Sequence, residues 1–546
     1  MKLELANGLI KKELFEELEI ENYFKLFDLD IPLLQHKILN FLTQEEGFDH
    51  FQSLKEIEDR IGNETIDKII SQSRSLANLD KILPLFQSGK LQLYQFYTLG
   101  NYLVSELEII KMEEKDGVEN RNKISLLAKL VKLLEEYLED NFRNFLIPEN
   151  FSDTLTEIKI LEDNISKAIT EYEKDILQQT KLKMLYPYPK EVSAQEVSKN
   201  KKIEKSPLLT VSKQSGHSYS YYLIDYQLPK SIKSQISKKD KLALNLSQEL
   251  ENKLQQLNNK IKKFYPEFNK CYQQRLELTF NYCLVWCKQR YSLSFPTFQT
   301  FPTNLHYSFT IQEGILPALK NKEEKQKRYT PLSIDIENGS NVLFGGNMSG
   351  KTTLLKTIYF LLMMIKIGLP IPAKKLSISK FPSQILIHLP SYGNLQTGLS
   401  SFAEEMNFFS QKFETGSVVL VDELFKSTNP LSGAMLSNIF LEEFSDSKKE
   451  ILFFCSTHYT EVLSNNSISL YRMSEGSEGN EGNNTNKEFS VELFCKREDN
   501  SSSDKSDRDK NLQTWAHNNL KRPLSLALNF SISETIKEKI KLSLKE

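Results

Sequence analysis

Eight consecutive residues constrain this chain more than any others: Gly345-Gly346-Asn347-Met348-Ser349-Gly350-Lys351-Thr352 matches the pattern G-x-x-x-x-G-K-[ST]. Only a glycine-rich backbone turns tightly enough to aim several N–H groups at one set of phosphate oxygens. The helix that must follow adds the partial positive charge of its N-terminus. In this pattern Lys351 reaches the β- and γ-phosphates, and the Thr352 hydroxyl completes a Mg²⁺ shell. The context fits, because an apolar strand at Asn341–Phe344 precedes the string and a helical pattern at Thr353–Ile367 follows it.

A second element supports the first. Val418-Val419-Leu420-Val421 ends in the carboxylates Asp422 and Glu423, the form of a Walker B strand. Asp422 would hold Mg²⁺ through its water shell, and Glu423, pointing the other way, would polarise an attacking water. Another apolar strand runs into Cys455-Ser456-Thr457-His458, where His458 is placed to sense a γ-phosphate. From about Thr300 to Asn500 short β-branched runs alternate with helices, the texture of an α/β domain. Ile334–Phe344, Gln384–Leu389, Ser417–Val421 and Glu450–Cys455 are its strand candidates, and the last three are apolar within, as buried parallel strands are.

The upstream half has another texture. Residues 1–180 are rich in Leu, Ile, Glu and Lys, with apolar residues at helical spacing, as at Leu34, Ile38, Leu39 and Leu42 and from Ile124 to Leu138. Pro32, Gly47, Gly62, Pro84 and Gly89 punctuate separate helices. Leu208–Lys213 and Tyr219–Gln227 flank a turn-like Gln214-Ser215-Gly216-His217 and predict a β-hairpin. Ten lysines against three acids between Val197 and Lys241 make the clearest basic stretch, a polyanion-binding face or a solvated linker. Leu246, Leu250, Leu254, Leu257, Ile261 and Phe264 form one seam of a long helix that breaks at Pro266, and a second helix spans Phe268–Arg290. Ser474–Asn486 and Glu498–Lys510 read as loops, and a final amphipathic helix runs from the Ser531…Glu534 capping pair through Ile536, Ile540 and Leu544.

Composition excludes several classes. With 546 residues, 39% hydrophobic and 26% charged, the chain reads as a multi-domain globular protein. Seventy Lys+Arg against 72 Asp+Glu leave −2, so a nucleic-acid surface must be local. The longest apolar run, Ile358–Ile365, is far short of the ~18 residues a membrane span needs. Met1-Lys2-Leu3-Glu4 opens no secretory signal, and five cysteines suit a reducing compartment, so the expectation is a cytoplasmic protein. Cys283 and Cys287 lack a second ligand pair and read as buried thiols, and His388 reads as a core residue.

Four segments together resemble the MutS family. Residues 345–353, which add Thr353, resemble its loop G-P-N-M-G-G-K-S-T, with Asn347-Met348 the discriminating pair. Leu399-Ser400-Ser401-Phe402-Ala403-Glu404-Glu405-Met406 resembles S-T-F-x-x-E-M. Asp422-Glu423-Leu424 with Thr428 resembles D-E-L-G-R-G-T, and Ser456-Thr457-His458-Tyr459 resembles (S/A)-T-H-(Y/F). The departures are Gly346 for Pro, Ser349 for Gly, and Phe425 and Ser427 for two glycines, which stiffens that loop. Nothing before residue 180 resembles the family's mismatch-reading domain, and Phe15-Glu16-Glu17 matches its F-x-E wedge by chance.

The resemblance implies an α-helical N-terminal half with a small β-hairpin clamp-like insert, followed by an α/β P-loop ATPase domain with a mostly parallel sheet. It apportions the chain as a helical core at 1–180, a reduced lysine-rich clamp at 181–240, lever and connecting helices at 241–298, the ATPase domain at 299–500 and a helical dimerisation tail at 501–546. It implies ATP and Mg²⁺ as cofactors. Gly345, Gly346, Asn347, Met348, Ser349, Gly350, Lys351, Thr352 and Thr353 would bind nucleotide, Thr352 and Asp422 the metal, and Glu423 and His458 would be catalytic. Ser400 would reach a partner's site, so the protein would be a homodimer. The expected function is ATP-driven opening and closing of a clamp on DNA, of the mismatch-repair type. Thr428-Asn429-Pro430 also resembles short MutS-like proteins thought to reactivate cobalamin-dependent aminomutases, which makes a protein client the alternative; a slowly hydrolysing structural dimer is a third.

Overall fold

The computed structural model of the chain describes residues 2–5, 9–117, 121–138, 142, 152–215, 220–298, 307–320, 330–345, 349–390, 401–445, 450–465, 467–475, 489–495, 528 and 534–543. The chain divides into two compact units, Met1–Arg74 with Lys115–Val118 and Arg275–Glu546, and Ser75–Glu114 with Glu119–Gln274.

In the first unit the N-terminal segment is not wholly helical. Strand β1 (Lys2–Leu5) pairs in parallel with β2 (His36–Leu39). Leu34, Ile38, Leu39 and Leu42 therefore do not share a helix: Leu34 ends a 3-10 turn, Leu39 is buried in β2, and Ile38 is exposed on its other face. Four residues cannot separate a period of 3.6 from a period of 2. Gly47 likewise interrupts nothing. It lies inside the helix Gln44–Arg60, where a Cβ would stand 2.3 Å from the Phe381 ring, so glycine admits that ring. The helix is started by a capping box, with Glu46 N–H donating to Thr43 Oγ1 and Thr43 N–H to Glu46 Oε2.

The second unit holds the helices Leu83–Ser88, Arg121–Glu135, Asp153–Thr180 and Lys230–Ile261 and a three-stranded antiparallel sheet. Its strands β3 (Lys190–Ser193), β4 (Leu209–Ser215) and β5 (Ser220–Tyr226) lie in the order β3-β5-β4. The hairpin β4–β5 extends through Gln214 and Ser215, and β3, with only Val192 buried, left no alternating signature in the sequence. Tyr172 Oη donates to the carbonyls of Gln227 (2.6 Å) and Leu208 (3.2 Å), which ties the long helix to the sheet. The seam helix begins at Lys230, so Lys238 and Lys239 belong to it and pair with Glu157 and Glu162. Leu257 and Ile261 of the seam are buried, while Leu246, Leu250 and Leu254 are half-buried. Pro266 does not break the chain into separate helices with a loop: one 3-10 turn, Lys262–Phe264, leads straight into the helix Tyr265–Arg290, where Pro266 is second and its missing N–H is not needed.

The C-terminal part of the first unit has two sheets. Strands β6 (Thr297–Phe298), β7 (Ser308–Gly314), β8 (Leu332–Glu337) and β10 (Lys375–Ile378) form a small sheet in the order β6-β10-β7-β8. The second sheet contains β9 (Gly339–Phe344), β11 (Ile385–His388), β12 (Val418–Val421), β13 (Leu452–Thr457), β14 (Ser469–Glu475) and β15 (Phe489–Cys495). Its order is β11-β12-β13-β9-β14-β15, parallel throughout except for β15 at the edge. The single strand expected at Ile334–Phe344 is two, in different sheets. Asn338 separates them and Gly339 has φ +90°, a conformation only glycine takes freely.

The helix Lys351–Lys366 packs against β7 of one sheet and β11 and β12 of the other. That placement explains why its apolar residues occur on every side and why nearly all are buried. The helix Pro430–Phe444 packs on β9 and β13, and its Phe440 and Phe444 join Phe409, Phe425 and Phe453 in one aromatic core. The last helix, Glu534–Ser543, buries Ile536 and Ile540 in the same core, and Lys539 lies 3.7 Å from Glu443. Those two side chains are thus covered by the chain itself rather than offered to a second subunit. Ser531 and Leu544 lie outside the described residues, as do the loops expected at Ser474–Asn486 and Glu498–Lys510 apart from Ser474 and Glu475, which end β14.

Candidate active site

Parallel pairing brings the motifs together. Val421 of β12 is level with Cys455 of β13, and Thr457 of β13 is level with Phe344 of β9. The acidic pair, the Ser456–His458 segment and the phosphate-loop pattern therefore all leave the same end of one sheet, where ligands of open α/β sheets bind.

Thr352 Oγ1 donates to Asp422 Oδ2 at 2.5 Å, and Ser456 Oγ donates to Asp422 Oδ1 at 2.6 Å. Both carboxylate oxygens of the buried Asp422 are thereby oriented. Lys351 Nζ donates to the Gly345 carbonyl at 2.8 Å, folding back over the loop. Burial pushes its ammonium below the ordinary lysine value, and the charges of Glu423 and Asp422 oppose that. Gly350 has φ +94°, and a Cβ at Gly345 would lie 3.1 Å from Ser349 Oγ, so both glycines serve the close turn. Thr353 is half-buried, and its carbonyl accepts from Thr357 Oγ1 within the helix. Gly346, Asn347, Met348 and Ser400 lie outside the described residues.

Glu423 stands at φ +54°, and its N–H donates to Ser456 Oγ at 2.8 Å. Its side chain pairs with Lys426 and hydrogen-bonds His458 Nε2 at 2.8 Å through Oε1. Burial alone would raise this carboxyl; the hydrogen bonds and charges of Lys426 and His458 outweigh it and hold the group below the ordinary value. A carboxylate kept ionised beside an imidazole suits the acceptance of a proton from water.

These residues fit a Mg²⁺-nucleotide. A hydroxyl and a carboxylate adjoin as hard oxygen donors, an ammonium lies over a glycine turn, and the buried Ser349 Oγ has no hydrogen-bond partner among the described residues. Ser456, Tyr459 and Glu405 entered the sequence reading only inside motif strings, yet they and Lys426 all contact the acidic segment. Thr428-Asn429-Pro430 has a local role: Asn429 Oδ1 accepts from Leu431 N–H and Pro430 opens the helix, an N-cap followed by proline.

Elsewhere, His388 ends β11 with its ring 5.2 Å from Phe408, and burial followed by the Lys11 charge pushes it down to about 4, leaving it neutral. Cys283 and Cys287 are buried, and burial pushes both thiols up, Cys287 to about 12. A pocket of about 580 Å³ lined by Tyr23, Leu293, Pro317 and Pro372 shares no residue with the site. Among the described residues no helix is long and apolar enough to cross a membrane.

Phe425 occupies φ +54° at a position where glycine is expected, with its ring fully buried. The left-handed conformation costs about 1–2 kcal/mol for a side chain bearing Cβ, and ring burial among Phe409 and Phe440 offsets it. Phe425→Ala keeps the strain and loses the ring, an expected destabilisation of about 3–5 kcal/mol. Phe425→Gly loses the ring but relaxes the backbone, so its urea midpoint should lie above that of Phe425→Ala, the reverse of the usual order.

The family model for MutS domain V matches residues 341–486. The chain is similar to the DNA mismatch repair protein MSH3 of Lodderomyces elongisporus, 27% identical over 377 residues, covering 62% of this chain and 36% of the relative. It is also similar to the Endonuclease MutS2 of Halothermothrix orenii, 29% identical over 172 residues, covering 29% of this chain and 22% of that protein. The Endonuclease MutS2 of Fusobacterium nucleatum is 30% identical over 163 residues, covering 27% and 21%. The chain thus matches between about a fifth and a third of the length of these relatives.

Proposed function

We propose, from the premise that the C-terminal part of this chain belongs to the MutS family, that it is a Mg²⁺-dependent ATPase acting on DNA. ATP would bind at the interface of a homodimer, and its hydrolysis would open and close a helical clamp. The observation that carries the ATPase reading is the 2.5 Å hydrogen bond between Thr352 and Asp422, which joins the residue after the loop lysine to the acidic end of β12.

In this reading the backbone of the loop and Lys351 bind the β- and γ-phosphates, and Thr352 and Asp422 hold Mg²⁺. When bound, Mg²⁺ supplies charge neutralisation on the phosphate oxygens. Glu423 takes the proton of the attacking water at its carboxylate, and His458, on Oε1, orients that carboxylate. Ser400 is assigned to the second subunit as expected from the sequence; in the tail at 501–546, Ile536 and Ile540 pack within the chain itself, so a dimer contact there would fall to its other residues.

DNA is favoured over a protein client for two reasons. The chain is similar to a DNA mismatch repair protein over 62% of its length, and the Thr-Asn-Pro signal for a client is accounted for by helix capping. Lys199, Lys201, Lys202, Lys205 and Lys213 are exposed on the β3–β5 module. Binding measured across a salt series on homoduplex, mismatched and branched DNA should fall log-linearly with salt. Alanine at Lys199, Lys201, Lys202 and Lys205 should weaken all three substrates alike and flatten the slope by about 0.9 per contacting lysine. A flat salt response with ATP turnover intact would transfer the reading to a protein client.

A further inference from the structure

We propose that Glu405 is a positioning residue for hydrolysis, fixing the loop that carries Glu423. The inference rests on the ATPase reading and deepens it. Glu405 lies in the helix Ser401–Ser410 and is 3% exposed. Its Oε1 accepts the Phe425 N–H at 2.7 Å and its Oε2 accepts the Ser427 hydroxyl at 3.2 Å. Those donors flank Lys426, the residue paired with Glu423.

The backbone of the acidic loop is bound from outside at three successive N–H groups. Ser456 takes the first two, Glu423 N–H on Oγ and Leu424 N–H on its carbonyl (3.0 Å), and Glu405 takes the third. Tyr459 Oη closes the other side by donating to the Phe425 carbonyl at 2.8 Å, in space that Gly433 leaves open: a Cβ there would stand 2.2 Å from the Tyr459 hydroxyl. The segment needs such restraint because Glu423 and Phe425 are both held at φ +54°. Without Glu405 the buried Phe425 N–H has no acceptor, and relaxation of the turn moves the Glu423 carboxylate two residues away.

The hydrogen bond rather than the charge is the working element. Burial, opposed by the two hydrogen bonds, raises the Glu405 carboxyl to about 7. Near neutral pH it exchanges between acid and carboxylate, and both forms accept the Phe425 N–H. Glutamine does the same, so Glu405→Gln is the conservative variant.

The full chain should be assayed as wild type, Glu405→Gln, Glu405→Asp and Glu405→Met, with ATP affinity and single-turnover hydrolysis measured separately. Glu405→Met and the too-short Glu405→Asp should lower kcat about 10–100-fold, as a misplacement near 1 Å does, with ATP affinity unchanged. Glu405→Gln should restore kcat to near wild type. Wild-type kcat in Glu405→Asp and Glu405→Met, or a fall in kcat matched by an equal fall in ATP affinity, would overturn the proposal while leaving the ATPase reading intact. A wild-type chain that neither binds nor hydrolyses ATP would overturn that reading itself.

Discussion

Lys351→Ala is expected to abolish measurable ATP turnover and to weaken ATP binding by about 10–100-fold. The binding loss follows from removing a charge-assisted hydrogen bond worth about 1.5–3 kcal/mol. Turnover falls further, by about 10²–10³ at saturating ATP, because charge on the phosphate oxygens changes most in the transition state, where a fixed cation counts most. The fold should survive. Lys351 Nζ donates to the Gly345 carbonyl, and burial already disfavours its charge, so alanine removes a desolvated cation. Equilibrium binding of a fluorescent ATP analogue and a steady-state phosphate-release assay, both on the full chain, check the two parts. Normal turnover in the variant would remove 345–352 from the chemistry.

Glu423→Gln should give the opposite split, with ATP retained and hydrolysis reduced by about 10²–10⁴, the range for a lost general base. The carboxylate's hydrogen-bond partners are Lys426 and His458, not Thr352 or Asp422, so its loss leaves the Thr352–Asp422 hydrogen bond in place. The pH dependence has a definite sign. Burial would raise the Glu423 carboxyl, but Lys426 and His458 outweigh it and hold the group below the ordinary carboxylate value, so the acid limb of hydrolysis should lie below that of a free glutamate. In stability terms, a carboxyl with a lowered folded value contributes above its unfolded value and loses that contribution as pH falls through the folded one. A single-turnover experiment with trapped nucleotide reads both parts, and unchanged hydrolysis in Glu423→Gln would assign the base elsewhere.

The legibility of the sequence differed between elements for physical reasons. The strand–loop–helix at 339–366 was readable because glycine, lysine and threonine have few substitutes around a phosphate, and because a strand and a helix must flank them. The C-terminal strands β12 and β13 were readable because buried parallel strands are continuous apolar runs, and β11, half-buried at the sheet edge, because Ile385-Leu386-Ile387 is apolar too. β2 and β3 were not, since in each only one of the described side chains is buried, which leaves no period to detect. Gly47 was misread as a break because its need for glycine comes from Phe381, more than three hundred residues onward. Pro266 was read as an end because a proline inside a helix and a proline in its first turn look alike until the helix start is known.

What the sequence determined by itself was chemistry that is local: a glycine turn before a lysine, an apolar strand ending in two carboxylates, and the order of these along the chain. Each depends on neighbours within a few residues. The tertiary structure decided which groups meet. Sheet order set Asp422 beside Thr352 and Ser456, and the packing of the helix Ser401–Ser410 laid Glu405 under Phe425. Burial then shifted Glu405 toward neutrality while hydrogen bonds held Glu423 ionised. Two adjacent motifs carry identical carboxylates, and only the solvent excluded and the donors gathered around each one give them different work.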